Sequence, residues 1–282
     1  MKKCDVVVVG GGAAGLLAAG RAAQLGAEVT LVEKMAYPAK KLGITGKGRC
    51  NLTNTIALED FIEKVKPDGR FLRSSFSQFY SEELIEFFNA LGIRTITERG
   101  GRVFPEGGKA VELAKALVGW CRQQGVKIIT RQRVVDLLMD SGRVKGVLSE
   151  GNNDQPLKIA AAKIIVTTGG MSYPATGSTG DGYKLAKSAG HSIGPIQPAL
   201  VPLESSGVAG YALRGLNLRN VNVRVYISGD QTDEKFGELS FTKFVVTGPI
   251  VLSLSREIVV ALKEEKEIFV RIDLKPALDE KK

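Results

Sequence analysis

The chain has 282 residues, 44% of them hydrophobic, and a formal net charge of +9 at pH 7. That length suits one large or two ordinary domains with a sizeable core; no apolar run is long enough to cross a membrane, and Asp5 interrupts what could otherwise pass for a secretory leader, so a cytoplasmic location is expected. Three widely spaced cysteines and one histidine give neither a disulfide framework nor a zinc spacing, and no metal site is expected.

Residues 4–9 are a Val-rich run that predicts a buried parallel strand. It enters the turn Gly10-Gly11-Gly12-Ala13-Ala14-Gly15, which opens an Ala/Leu helix over 13–25 that Gly26 closes. Each glycine answers a separate need: Gly10 permits the tight turn, Gly12 lets the backbone approach a pyrophosphate, and Gly15 lets the helix pack close to the strand. Gly20, inside the helix, costs about 1 kcal/mol against Ala, so close packing is its expected reason. Residues 28–33 form a second strand ending at Glu33, where a carboxylate can accept from a ribose hydroxyl; the alternative is a surface carboxylate at a strand end. This strand-turn-helix-strand unit is read as a dinucleotide site, against the alternative of an ordinary βαβ unit.

Residues 40–54 show neither helical nor strand period and read as a ligand-covering loop. A helix over 81–91, with Ser81 as its cap and Leu84, Phe87, Phe88 and Leu91 on one face, precedes a short strand from Ile93 to Thr97. A second helix spans 109–124, and Val126–Thr130 resumes the parallel sheet. Residues 131–166 read as a β-meander with strands Val134–Met139, Val144–Glu150 and Lys158–Ala160, turns at Ser141-Gly142 and 151–154, and a separate buried strand Ile164–Val166. Asp181 is read as capping a helix over Tyr183–Ala189, a role with which contact to a bound cofactor is compatible. Beyond Pro195 and Pro198 the near-alternation of Leu216, Leu218, Val221, Val223, Val225 and Ile227 predicts antiparallel strands in a second domain, with a helix over 249–262 and a strand over 268–274.

Four motifs carry a family resemblance. Lys41-Leu42-Gly43-Ile44-Thr45-Gly46-Lys47-Gly48-Arg49-Cys50-Asn51-Leu52-Thr53-Asn54, Gly101-Arg102-Val103-Phe104-Pro105, and the glycine-rich run from Thr168-Gly169-Gly170 through Gly180-Asp181-Gly182 resemble signatures of a bacterial family of FAD-dependent oxidoreductases. That family includes aminoacetone oxidase-like and bile-acid 7-dehydroxylation flavoproteins; the third motif is also similar to fumarate-reductase-type flavoproteins. The fourth, Gly237–Thr242 with Thr247-Gly248-Pro249, resembles a motif of the family's inserted domain. The resemblance implies an α/β fold: a Rossmann-like FAD-binding domain with a β-meander (1–195), interrupted by an inserted strand-rich α+β domain (196–282). It departs in two places. Lys243, Val245 and Thr247 stand where the family pattern has His, Gly and Ser. Family members also return to a final glycine-rich segment that completes the flavin pocket, so the chain reads as C-terminally truncated relative to them.

The resemblance implies FAD as cofactor, with NAD(P)H or oxygen as electron partner. Gly10, Gly12, Ala13, Ala14 and Gly15 would hold the pyrophosphate, Glu33 the ribose, and Lys34 would sit near the adenine. Lys41, Gly43, Thr45, Gly48, Arg49, Cys50 and Asn51 would run along the flavin. Arg49 has a structural salt bridge as its alternative, and Cys50 a small packing role. Val134 would meet adenine through its backbone, or be an ordinary strand residue, and Thr168, Gly169 and Gly170 would close the site at the carboxyl edge of the sheet. Tyr173, Tyr183, His191 and Arg102 are the candidate proton donors; no catalytic residue follows from the sequence. The expected partner is a small organic substrate. Action on RNA, motivated by the basic charge, and a non-catalytic chain that holds FAD weakly or not at all are the alternatives.

Overall fold

The computed structural model describes residues 2–151, 156–204, 212–243 and 245–278. Contacts divide the chain into two units, Met1–Ile193 and Gly194–Lys282.

In the first unit, strand β1 (Lys2–Val9) leads to helix α1 (Ala13–Gln24) and strand β2 (Val29–Val32). The loop that follows is not structureless: Leu42–Gly48 forms helical turns, kinked at Thr45–Lys47. Then come β3 (Thr53–Asn54), helices α2 (Leu58–Lys64), α3 (Arg73–Phe76) and α4 (Ser81–Ala90), strands β4 (Thr95–Glu98) and β5 (Arg102–Pro105), helix α5 (Ala110–Gln123), strands β6 (Lys127–Ile129), β7 (Gln132–Asp140), β8 (Arg143–Gly151) and β9 (Leu157–Val166), and helix α6 (Asp181–Ser188).

The main sheet has the order β6-β2-β1-β9-β8-β7. Its first four strands are parallel and its last two antiparallel. The sequence reading separates Lys158–Ala160 from Ile164–Val166, but the structure joins them in β9. Residues 157–160 take an antiparallel partner in β8 while residues 159–166 run parallel to β1, so the meander and the parallel sheet share one strand. Alternation along a buried strand explains why this works. Val8 faces a core of Leu16, Ala19, Leu113, Leu117 and Trp120, whereas Val7 and Val9 face Val134, Val147, Ile159 and Leu185. Both faces are covered, so no polar alternation marks the strand. Of the predicted turn at 151–154, residues 152–154 lie outside the described residues.

Two caps differ from the sequence reading. Tyr80, not Ser81, precedes the first helical residue of α4: its N–H donates to the Glu83 carboxylate at 2.9 Å, while Ser81 lies inside the helix with a buried hydroxyl that finds no partner. Helix α6 begins at Asp181, one turn position earlier than a cap would allow.

The second unit contains β10 (Leu203–Glu204), β11 (Asn217–Ile227), β12 (Asp230–Phe241), β13 (Val245–Thr247), helix α7 (Pro249–Lys263) and β14 (Ile268–Asp273). The sheet order is β10-β13-β12-β11-β14, and every pair is antiparallel. Val221, Val223, Val225, Leu239 and Phe241 pack against Ile250, Val251, Leu254 and Ile258 of α7.

Close packing does account for Gly20. A Cβ there would fall inside the van der Waals envelope of the Trp120 ring on α5. Gly20→Ala, which improves helix propensity, is therefore expected to destabilise the first unit by about 1–3 kcal/mol. Urea unfolding followed by the fluorescence of Trp120, the single tryptophan, checks this.

Candidate functional site

The end of β1 is held by three backbone constraints. Gly10 has φ +101°, and a Cβ on it would sit 2.6 Å from the Thr167 carbonyl oxygen at the end of β9. The Thr167 hydroxyl reaches both the Val9 and Gly10 carbonyl oxygens at 2.9 Å. Gly15 lies so close to the Gly10 carbonyl that a side chain would overlap it. Gly12 is different. Its backbone is extended (φ −77°, ψ −173°), which any residue can adopt, and a Cβ there would meet nothing within 4 Å. What Gly12 preserves is open space at the first turn of α1, where helical N–H groups lack intrahelical partners.

Glu33, at the end of β2, is 8% exposed. Its carboxylate accepts from the Gly11 N–H at 2.6 Å and from the Met35 N–H at 2.7 Å. The acid at the strand end therefore also pins the glycine turn, and each oxygen keeps a further lone pair.

The segment after β2 and the run before α6 are tied together by lysines. Lys40 Nζ donates to the Ala175 carbonyl at 2.8 Å. Lys41 Nζ donates to the Ser172 carbonyl at 2.8 Å and to Ser178 Oγ at 2.6 Å, and its burial lowers its pKa. Lys34 Nζ donates to Thr179 Oγ1 at 2.6 Å and to Asp181 Oδ2 at 2.7 Å. Arg133, near the start of β7, donates to Asp181 Oδ1 at 2.5 Å.

These segments enclose an open cleft of about 280 Å³. Of the residues expected at the cofactor, Gly10, Gly12, Ala13, Ala14, Glu33, Lys34, Lys41, Thr45, Val134, Thr168 and Gly169 line it. Gly15, Gly43, Gly48, Arg49, Cys50, Asn51 and Gly170 do not. Gly15 serves the packing of α1. Gly43 faces Val111, and Gly170 faces the Tyr183 hydroxyl. Arg49 pairs with Glu98 and stacks over the Phe104 ring, 4.3 Å from its centroid. Cys50 is 1% exposed in a left-handed conformation, and burial raises its thiol pKa. Tyr173, Tyr183, His191 and Arg102 are also outside the cleft lining.

The lining also includes Tyr37, Gln132, Arg133, Thr167, Thr176 and Ser178, which are not among the expected cofactor residues, and Asp181, for which cofactor contact is compatible with the expected capping role. Thr167, Ser178 and Asp181 lie in or beside the third glycine-rich motif, which could have signalled them. Gln132 and Arg133 sit in a strand pattern with no distinguishing sign.

An adenine dinucleotide fits this donor set. The free first turn of α1 suits a pyrophosphate, the Gly12 cradle is one that a side chain would fill, and the Glu33 oxygens retain acceptor capacity beside it. Residues 4–264 match the family described as HI0933-like protein Rossmann domain. The chain belongs to this HI0933-like family. Its Rossmann domain is an FAD-binding one. The chain is 33% identical over 274 residues to a 3-dehydro-bile acid delta(4,6)-reductase of Clostridium scindens, covering 96% of this chain and 64% of the relative. It is 28% identical over 255 residues to a ribosomal RNA dihydrouridine synthase of Escherichia coli, covering 90% and 61%. The fold resembles that of 3-ketosteroid delta1-dehydrogenase from Sterolibacterium denitrificans (TM-score 0.54, 17% identity, 78% of this chain and 62% of that one). It also resembles an open-conformation flavocytochrome c3 fumarate reductase (TM-score 0.53, 19% identity, 78% and 47%). The chain thus spans less than two thirds of the length of these relatives. Among the described residues no helix is long and apolar enough to cross a membrane.

Asp181 is 5% exposed. Burial alone would raise its carboxyl, but the hydrogen bonds from Arg133 and Lys34 outweigh that and hold it below the ordinary carboxylate value. A depressed carboxylate gives stability that is present above its unfolded value and lost as pH falls through the folded one. Asp181→Asn is therefore expected to cost about 1–3 kcal/mol at neutral pH, between the exposed and buried ion-pair limits. The difference from wild type should shrink below about pH 4; urea unfolding at a series of pH values measures it.

Proposed function

We propose that the protein is an FAD-dependent oxidoreductase that exchanges a hydride between flavin N5 and a small organic substrate. The observation that carries this reading is the pairing of the open Gly12 cradle at the start of α1 with the buried Glu33 carboxylate. Ordinary strand-turn-helix packing explains Gly10 and Gly15 but gives no reason to leave Gly12 bare.

In this reading the N–H groups at the first turn of α1 hold the pyrophosphate oxygens and the helix dipole favours their charge. Glu33, already oriented by Gly11 and Met35, accepts from the ribose hydroxyls. Val134, at the cleft wall beside Gln132 and Arg133, meets the adenine edge through its backbone. Thr168 and Gly169 close the cleft at the carboxyl end of β9. Bound FAD supplies the hydride chemistry; the protein supplies position and electrostatics. NAD(P)H or oxygen is the electron partner in this proposal, and a small organic molecule the substrate, in keeping with the reductase name of the Clostridium scindens relative. The net charge of +9 and the similarity to a ribosomal RNA dihydrouridine synthase support a second reading, in which the substrate is a base in RNA.

Gly12→Val tests the primary reading. The backbone tolerates the change and the side chain has room, so the melting temperature should stay within about 2 °C of wild type. The branched side chain would occupy the phosphate cradle, so FAD affinity, read from visible absorbance after reconstitution and gel filtration, should fall at least about tenfold. A wild-type chain that takes up no FAD under these conditions contradicts the proposal. For the second reading, RNA retention should fall steeply between low and physiological salt; no retention at low salt removes it.

A further inference from the structure

Asp181 is the point where three separate walls of the cleft meet. Its two carboxylate oxygens are divided between segments distant in sequence: Oδ2 takes Lys34, immediately after β2, and Oδ1 takes Arg133, on β7. Asp181 itself starts α6 and continues the run of Thr176, Gly177 and Ser178 that lines the cleft. Lys34 adds Thr179 on that same run, so one ammonium bridges two residues of the third wall. The group is well placed to be rigid. The Asp181 side chain is 7% exposed, the Lys34 side chain 21% and the Arg133 side chain 50%, so the Asp181–Lys34 bond is the shielded one of the two and both are charge-assisted.

The tether bears on one end of the cleft only. Lys34 follows Glu33 directly, and the Glu33 carbonyl accepts from the Gln132 N–H at 3.1 Å, next to Arg133. The separation between β2, β7 and the 176–181 run is thus set where the adenosine would lie. The Gly10–Ala14 turn has anchors that do not involve Asp181: Thr167, the packing of Gly15, and the bond from the Gly11 N–H to Glu33.

We infer that Asp181 is a positioning residue for nucleotide recognition: through Lys34 and Arg133 it fixes the width of the adenosine end of the cleft, without itself holding the phosphates. This rests on the reading of the cleft as a dinucleotide site. It also accounts for an ionised carboxylate at the start of α6 with no cap to provide, since the cap position there is Gly180.

The test compares two probes, ADP and inorganic pyrophosphate, by calorimetric titration of the whole chain. Asp181→Asn should bind ADP about tenfold more weakly, and pyrophosphate within about twofold of wild type. Lys34→Gln, at a partly exposed side chain, should give the same split and serves if the Asp181 variant does not fold. The double variant should be no worse than the weaker single one, because both act through one tether. Lys34→Arg, which keeps the charge and the reach, should regain most of the lost ADP affinity. Equal loss of both probes would mean general damage and would overturn the positioning role. So would ADP binding by Asp181→Asn at wild-type strength. If the wild-type chain binds neither ADP nor pyrophosphate, the reading of the cleft itself fails, which is a distinct result.

Discussion

The close approach of α1 to the end of β1 is the constraint on which the rest of the site depends. At Gly15 the helix comes so near the Gly10 carbonyl that no side chain can intervene, and Thr167 ties that carbonyl to the end of β9. The turn between strand and helix has no freedom left. Its one open direction is toward the cleft, at Gly12. The first turn of a helix with unpaired N–H groups, fixed at the carboxyl edge of a parallel sheet, is a place for an anion whatever the rest of the molecule does. Glu33 completes it by bonding the Gly11 N–H, so the acidic end of β2 and the glycine turn are one mechanical piece.

Charge in this molecule works locally. The net +9 suggests a broad attraction for anions, and the lysines at 34, 40 and 41 look in sequence like a patch facing a cofactor. In the fold they are committed to the run between Ser172 and Asp181, through carbonyls, hydroxyls and a carboxylate. Their long stems span the gap between two loops that have no secondary structure in common, which short side chains could not do. The cost of burying Asp181 is offset because two cations and their hydrogen bonds arrive together. The same logic removes Arg49 from the cleft lining: Glu98 and the Phe104 ring satisfy both its charge and its flat face.

What was legible in the sequence follows from the range of the interactions involved. The βαβ unit could be read because glycine spacing, a valine run and helical periodicity are local signals. Alternation, as at Val221, Val223 and Val225, marked the antiparallel strands of the second unit, while the α/β class of the whole was implied by the family resemblance. The continuity of β9 could not be read. Residues 157–166 have no internal mark to say that 157–160 pair with β8 and 159–166 with β1; register is a property of partners. At the site, the glycines and Glu33 carried their own signal. Arg133 did not, because its meaning comes from Asp181, 48 residues away. The 43–51 segment shows no periodicity in sequence, and its local order is seen only in three dimensions. Its turns wind against α5, with Thr45, Gly46 and Lys47 kinking the helical path and Cys50 filling a small buried space.

Among the described residues, every one that lines the cleft belongs to the first unit. The departures from the family pattern, Lys243, Val245 and Thr247, lie in the second unit. Cofactor retention and choice of substrate are physically separable in such an arrangement. Groups that hold the nucleotide end of a cofactor are indifferent to what is oxidised or reduced. Discrimination among substrates requires groups that contact the reacting partner and hold it more tightly at the transition state than in the ground state. Relatives named for a bile-acid reductase and for an RNA dihydrouridine synthase share this scaffold. Such divergence is why function has to be argued from the chemistry of a site and not from the fold alone.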